Sequence, residues 1–425
     1  MIDHETQPAS PRAGIDPEAP ELGRPGEWPI GTQTFALPIG SRPVLTFESM
    51  MRGECQLLPQ TLSIRIWYPA AAQAAGALAR YEHGMTLLGE PPVVIGIAGR
   101  AMVDAEAAAN QRFPLVVLSH GFGGWNTQFS RLGEHLASRG YVVASIDHSD
   151  QPAASLPEFM LSFGNVLINR TLDQRAVIAE LIAAARGRRL GLPASADTGS
   201  IALIGYSMGG YGALNTAGAP YSFANEPSDK LPPGAREQME AAPAAALAAL
   251  VLFAPWGGQP QNRAWTEAGL AKVCLPTLVV SGSQDDVVDH NHGVRWLFDS
   301  LTSSNRHLLT YREARHNIVG DPFDLAGLPF AACEFLAEPV WRRARLNAIN
   351  QHFVTAFLDR HLKHEPGKSR YLDVPCTDAN QGDWPLPLGA MLGGALSGRD
   401  QPGYWPGFPR RWAAGVELES RSAGA

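Results

Sequence analysis

The chain has 425 residues, 45% hydrophobic and 18% charged, with a formal net charge of −7. This composition supports a sizeable globular core and leaves room for one large domain or two average ones. The acidic balance and the lack of any Lys/Arg run argue against nucleic acid as a partner, and no stretch of about 20 apolar residues suggests a membrane span.

Residues 1–30 are acidic and proline-rich, without an apolar segment, and read as a flexible N-terminal arm. Residues 31–69 read as β. "QTLSIRIWYPA" alternates apolar and polar from Leu62 to Trp67 and stops at Pro69. A connector and a loop or short helix are predicted up to about residue 112. "FPLVVLSHGFGG" (113–124) is a continuous apolar run that empties into glycines, as a strand buried on both faces does.

Residues 126–139 have helical spacing, with Phe129, Leu132 and Leu136 on one face, and "GYVVASIDHSD" (140–150) is the next buried strand. A strong amphipathic helix is predicted over 169–187. A third strand, "GSIALIGYS" (199–207), runs straight into a small-residue helix, "MGGYGALNTAG". Further strands are predicted at 248–255, 274–286 and 305–317, and a closing helix at 347–363.

Strands alternating with helices predict an α/β fold with a mostly parallel sheet covered by helices on both faces. The main domain spans 31–365, with insertions at about 218–245 and 318–346. Residues 366–425 form a C-terminal extension packed on or near the core. Cys55, Cys274, Cys333 and Cys376 are widely spaced and form no CxxC, so neither a metal site nor a disulfide framework is expected. The default location is the cytoplasm.

Ser207, in Gly205-Tyr206-Ser207-Met208-Gly209, sits between a buried strand and a helix. A tight strand–turn–helix strains the serine backbone and leaves no room for side chains at the flanking glycines. Its hydroxyl then projects from the turn, above a helix N-terminus that favours negative charge. A serine needs a base, and a histidine base needs a carboxylate to orient it. In this sheet the chain order is Ser, acid, His. Asp285, just past "PTLVVSG", and His316, just past "HLLTYREA", fill that order at the same sheet edge. Asp286 competes with Asp285 for the acid role. His148 also follows a strand, but it precedes Ser207.

Two backbone N–H groups are needed for an oxyanion, one from Met208 and one from the loop after the first buried strand, where Phe122 follows Gly121. His120 reads as a packing residue beside that loop. Asp289, His290 and His292 could suggest a metal cluster, but read more simply as residues that start the helix after them. Trp256 follows a strand toward the same edge and is either a pocket wall or a core residue. Trp125 and Tyr206 are further substrate-binding candidates; the sequence gives Tyr206 no definite role.

On the motifs "FPLVVLSHGFGG", "GYSMGGYGALN", "APW", "PTLVVSGSQDDVV" and "ARHN", residues 60–365 resemble the α/β-hydrolase superfamily. More narrowly, they resemble its platelet-activating-factor acetylhydrolase and dienelactone-hydrolase-like esterases, a group related to cutinase-like polyester hydrolases. Dienelactone hydrolases proper carry a cysteine nucleophile where this chain has Ser207. The resemblance implies a Ser207–His316–Asp285 triad, a Phe122/Met208 oxyanion hole, hydrolysis of a small-molecule ester through an acyl-enzyme, and no cofactor. An amidase, peptidase or thioesterase on the same triad is the alternative.

Overall fold

Long continuous apolar runs leave a strand nothing to do but sit between two layers. In the computed structural model six such strands form the centre of an eleven-stranded sheet. The structure describes residues 18–383 and 403–425, apart from 53–54, 88–89, 149, 151–152, 154, 188–190 and 223–234. In chain order the strands are β1 (Ile30–Val44), β2 (Gln56–Pro69), β3 (Leu78–Met85), β4 (Val93–Val103), β5 (Phe113–Ser119) and β6 (Val142–Asp147). They continue with β7 (Ala196–Tyr206), β8 (Leu247–Phe253), β9 (Thr277–Gly282), β10 (Arg306–Tyr311) and β11 (Val416–Arg421).

Across the sheet the order is β11-β10-β9-β8-β7-β5-β6-β2-β1-β4-β3. The pairs from β10 through β9, β8, β7 and β5 to β6 are all parallel. Antiparallel pairing takes over at both margins, β11 on β10 and β2 on β6. The fold is therefore an α/β-hydrolase sheet, mostly parallel at its centre. Residues such as Val116, Val143, Leu203, Val251 and Val279 are fully buried, as strands covered on both faces require. The parallel strands deliver their C-terminal ends to one edge, where ligands bind in open α/β sheets.

The helices are α1 (Phe47–Arg52), α2 (Ser130–Ser138), α3 (Leu156–Gly187), α4 (Met208–Thr216), α5 (Ala235–Met239), α6 (Glu267–Leu270), α7 (Arg295–Ser300), α8 (Phe330–Leu336) and α9 (Arg343–His361). Asp321, in the segment expected as an insertion at 318–346, caps α2 from outside. Its carboxylate accepts from the Ser130 N–H at 3.1 Å and the Arg131 N–H at 2.9 Å.

Several expectations are corrected. The stretch before residue 112, expected as a connector and a loop or short helix, holds the antiparallel hairpin partners β3 and β4, with loop following after Val103. Only every second residue of β3 is buried (Ala79, Tyr81), and its alanines and charges hide the alternation. The buried Glu134 of α2 ties this edge down, accepting from Tyr81 Oη at 2.8 Å and the Arg100 N–H at 2.7 Å. Helix α3 begins at Leu156, thirteen residues before the start predicted from sequence.

Residues 1–17 of the expected arm lie outside the described residues, but 18–30 pack firmly. Ala19 and Leu22 are buried, and the Leu22 N–H donates to His352 Nδ1 at 3.2 Å. Part of the insertion expected at 218–245 and residues 384–402 of the C-terminal extension also lie outside the described residues. The end of that extension supplies β11, and Tyr404, Trp405 and Phe408 are buried in the main core.

Candidate active site

The turn between β7 and α4 holds Ser207 at φ 52° and ψ −114°, a conformation that non-glycine residues rarely adopt. The flanking glycines are sterically necessary. A Cβ on Gly205 would stand 2.4 Å from the Gly209 carbonyl oxygen, and one on Gly209 would stand 2.1 Å from that of Ser119. The Ser207 carbonyl is pinned by the N–H groups of Tyr211 at 3.0 Å and Trp256 at 3.1 Å. Its side chain makes no capping bond to α4, although the residue occupies the capping position. The hydroxyl is instead 3.1 Å from His316 Nε2.

His316 Nδ1 lies 2.9 Å from Asp285 Oδ2. The Asp285 side chain is fully buried, and its Oδ1 accepts from the N–H groups of Val287 at 3.0 Å and Val288 at 3.1 Å. The loops carrying acid and base are laced together. The Gln284 N–H donates to the Ala314 carbonyl at 2.9 Å, and a Cβ on Gly282 would meet the Ala314 and Arg315 carbonyl oxygens at 2.3 Å. Asp286, the competing acid, turns away and pairs with exposed Arg315 at 2.7 Å.

The Phe122 loop lies directly beside the serine. A Cβ on Gly121 would be 3.2 Å from Ser207 Cβ and 3.0 Å from Tyr206 Cδ1. Met208 is the first residue of α4 and is buried. His120 is fully buried, with Nδ1 2.7 Å from the Gly121 carbonyl and Nε2 accepting the His148 N–H at 3.0 Å. Burial pushes its pKa down, so it stands as a neutral imidazole.

Tyr206 packs behind the base. Its ring centroid is 5.1 Å from that of His316, and its hydroxyl donates to Asn317 Oδ1 at 3.3 Å. Trp256 is edge-on to Phe163 at 5.5 Å and to Tyr211 at 5.5 Å. Phe122 in turn meets Phe159 at 5.2 Å and Phe163 at 5.5 Å. An aromatic row thus joins Phe122, Phe163 and Trp256 in front of the sheet. Trp125 keeps different company: it stacks on His83 at 4.1 Å and belongs to a small separate core with Met85, Ile95 and Leu336.

Asp289 accepts the His292 N–H at 2.9 Å and starts the turn that leads into α7. His290 bonds Ser281 Oγ at 3.1 Å. No group of three or more His, Cys, Asp or Glu among the described residues is arranged to hold a metal ion.

A second Ser–His–Asp arrangement lies beneath the Phe122 loop and was not foreseen. His148 Nε2 is 2.7 Å from Ser119 Oγ, and its Nδ1 is 3.0 Å from Asp173 Oδ2. The Gln174 amide occupies the other side of Ser119 Oγ at 2.9 Å, and Ser119 is wholly buried. His148 and Asp173 border an open polar cavity shared with Arg42, Asp150 and Arg170, but Ser119 is wholly buried and does not line it, so no substrate reaches its hydroxyl from there. Arg170 and Asp150 beside it carried no recognisable motif; the strand-end "IDHSD" was the only sequence signal nearby.

Residues 40–161 match the family model described as platelet-activating factor acetylhydrolase, isoform II, and residues 241–323 match that of serine aminopeptidase, S33. The chain is 28% identical over 156 residues to a Bos taurus platelet-activating factor acetylhydrolase, covering 28% of this chain and 35% of the relative. It is 26% identical over 227 residues to a bis(hydroxyethyl) terephthalate hydrolase of Streptomyces coelicolor (52% and 56%). It is also 26% identical over 198 residues to cutinase 2 of Thermobifida cellulosilytica (46% and 56%). The chain thus spans between about a third and just over half the length of these relatives. The two family matches fall on either side of β7 in one continuous sheet, whose fold is that of the α/β-hydrolases, and the chain is similar to platelet-activating factor acetylhydrolase, bis(hydroxyethyl) terephthalate hydrolase and cutinase.

Proposed function

We propose that the chain is a serine carboxylic-ester hydrolase acting through an acyl-enzyme on small to medium apolar esters. The observation that carries this reading is the unbroken hydrogen-bonded relay from Asp285 through His316 to Ser207, at 2.9 and 3.1 Å, on a strained strand–turn–helix. Ser207 Oγ attacks the ester carbonyl while His316 Nε2 takes its proton. Asp285 stabilises the imidazolium and holds its orientation. The N–H groups of Phe122 and Met208 receive the oxyanion. His316 then protonates the departing alkoxide, and water repeats the cycle on the acyl-enzyme.

The row of Phe122, Phe163 and Trp256 supports an apolar substrate, including short-acyl, aromatic and phthalate-type esters. The terephthalate hydrolase among the relatives is named for an ester of that kind. The stretch similar to serine aminopeptidases carries Asp285 and His316 but not Ser207, so it does not by itself favour amide over ester. Among the described residues no helix is long and apolar enough to cross a membrane. Cytoplasmic residence is part of the proposal, supported by four cysteines that are free thiols.

The test is labelling with a fluorophosphonate, together with turnover of p-nitrophenyl esters against the matching anilides. Ser207→Ala is expected to abolish labelling and lower kcat on the order of 10⁶-fold. Undiminished activity in that variant sinks the reading. Anilide turnover exceeding ester turnover moves the assignment to an amidase.

A further inference from the structure

Arg170 lies in the middle of α3 and is 1% exposed. Its Nη2 donates to Asp150 Oδ2 at 2.7 Å and to the Gly121 carbonyl oxygen at 3.3 Å. Among the described residues its Nε and Nη1 have no hydrogen-bond partner. Burying the guanidinium is costly, and its ion pair with Asp150 at 2.7 Å offsets that cost. What it touches is the loop that carries Phe122.

Both peptide groups flanking Phe122 are held. The Gly121 carbonyl receives Arg170 and also His120 Nδ1 at 2.7 Å. The His120 ring is itself fixed, because its Nε2 accepts from the His148 N–H at 3.0 Å. On the other side, the Gly123 N–H donates at 2.9 Å to the same Asp150 oxygen that Arg170 binds. A trans peptide is planar, so the Gly121 C=O and the Phe122 N–H point in opposite directions. The two side-chain donors that draw the carbonyl inward, beside the Gly124 N–H at 3.3 Å, therefore turn the Phe122 N–H outward from α3. The Gly121 backbone lies against Ser207, which keeps that N–H close to the nucleophile.

We infer that Arg170 and Asp150 are positioning residues of the oxyanion hole, fixing the 121–123 backbone so that the Phe122 N–H is aimed before substrate arrives. The inference rests on the esterase reading above. The Arg170–Asp150 pair is neutral as a unit, so its contribution is aim rather than a free positive charge. Pre-aimed donors need no reorganisation as the oxyanion forms, and that is where their rate advantage comes from.

The experiment uses the full chain with p-nitrophenyl acetate as substrate and an aliphatic trifluoromethyl ketone as inhibitor. The ketone forms a hemiketal oxyanion on serine and so reports on the hole itself. Arg170→Met and Asp150→Ala are expected to lower kcat by about 10- to 100-fold, with KM within about twofold. That is less than the 10²–10³ lost when a donor is removed outright. Ketone affinity should fall in parallel. Asp150→Asn, which can still accept the Gly123 N–H, should recover most of the loss.

Arg306→Met is the control for lost stability. Arg306 is equally buried, at the opposite end of the sheet, bonded to the Phe298 carbonyl at 2.7 Å and the Ala425 carbonyl at 2.8 Å. It should lower Tm and leave kcat alone. Folded Arg170→Met or Asp150→Ala protein with parental kcat and ketone affinity overturns the inference. So does a kcat that merely tracks Tm, as in the control. If Arg170→Met does not fold, Asp150→Ala decides alone. Retained activity in Ser207→Ala would mark failure of the esterase reading instead, a separate result.

Discussion

Adjacent residues with the same side chain can have unrelated roles, and Asp285 and Asp286 are such a pair. Asp285 is buried against the imidazole, whereas Asp286 meets Arg315 at the surface. Partial burial acts to raise the Asp286 pKa, but the hydrogen bond from Arg315 and the charges nearby together hold the carboxyl below its usual range. Asp285→Asn should reverse the His316 tautomer and lower kcat by roughly 10⁴-fold, as losing the orienting carboxylate of such a triad does. Asp286→Asn removes an exposed pair, which is worth at most about 1 kcal/mol, and should leave kcat within about twofold. Comparable losses in the two variants, measured by steady-state kinetics, would contradict this assignment. The buried trio of Ser119, His148 and Asp173 carries the same warning: residue types and distances alone do not make a nucleophile. Ser119 lies in a regular strand and is fully buried, whereas Ser207 sits at the strained turn between β7 and α4.

At the scale of elements, α3 matters most. Its 32 residues combine two jobs. From about residue 166 onward it packs on the sheet through Val177, Ile178 and Leu181 and carries Arg170 to the Phe122 loop. Its first turns place Glu158, Ser162 and Asn165 on one stripe and leave Leu156 and Met160 largely exposed, while Phe159 and Phe163 reach Phe122. Pro157 and Gly164 interrupt this stretch and its apolar residues are not buried on the sheet, so its start does not read as part of a core-facing helix. Under the proposed chemistry this end of α3 walls the acyl side of the site. Phe163→Ala should then shift kcat/KM toward longer or bulkier acyl groups, on the order of tenfold relative to acetate, a size typical of pocket-filling discrimination. An unchanged acyl-length profile would remove α3 from the pocket.

At the scale of the whole molecule, the core buries several titratable rings. His120, His135, His148 and His352 are all buried, and burial lowers the pKa of each; that of His352 falls to about 3. In the unfolded chain each titrates near 6.5. Below that pH the unfolded state binds more protons than the folded one. The stability these rings hold above pH 6.5 is therefore lost progressively as pH falls toward their folded values. Asp173 and Asp321, pushed up to about 7 by burial, act in the opposite sense between about pH 4 and 7. The histidines outnumber them, so Tm should fall from pH 7 to pH 5. His352→Gln, whose amide oxygen can still accept the Leu22 N–H, should flatten that slope. A Tm that is level or rising over this range would contradict the balance.

Much of this protein was legible in its linear sequence. Continuous apolar runs can only be strands buried on both faces, and the glycines around Ser207 have a local steric cause, so the central sheet and the elbow follow from nearest-neighbour physics. Chain order and strand ends then single out His316, and Asp285 with its neighbour as rival. Pairing partners and packing decided the rest. Strands β3 and β4 have a half-buried pattern that becomes meaningful only against Glu134 of α2, and β11 exists because β10 offers it an open edge. Which aspartate faces the imidazole, what Tyr206 supports, and the hold of Arg170 and Asp150 on the Phe122 loop depend on residues far apart in the chain. No local pattern encodes such contacts, because their energy is realised only when the sheet brings its strand ends to one edge.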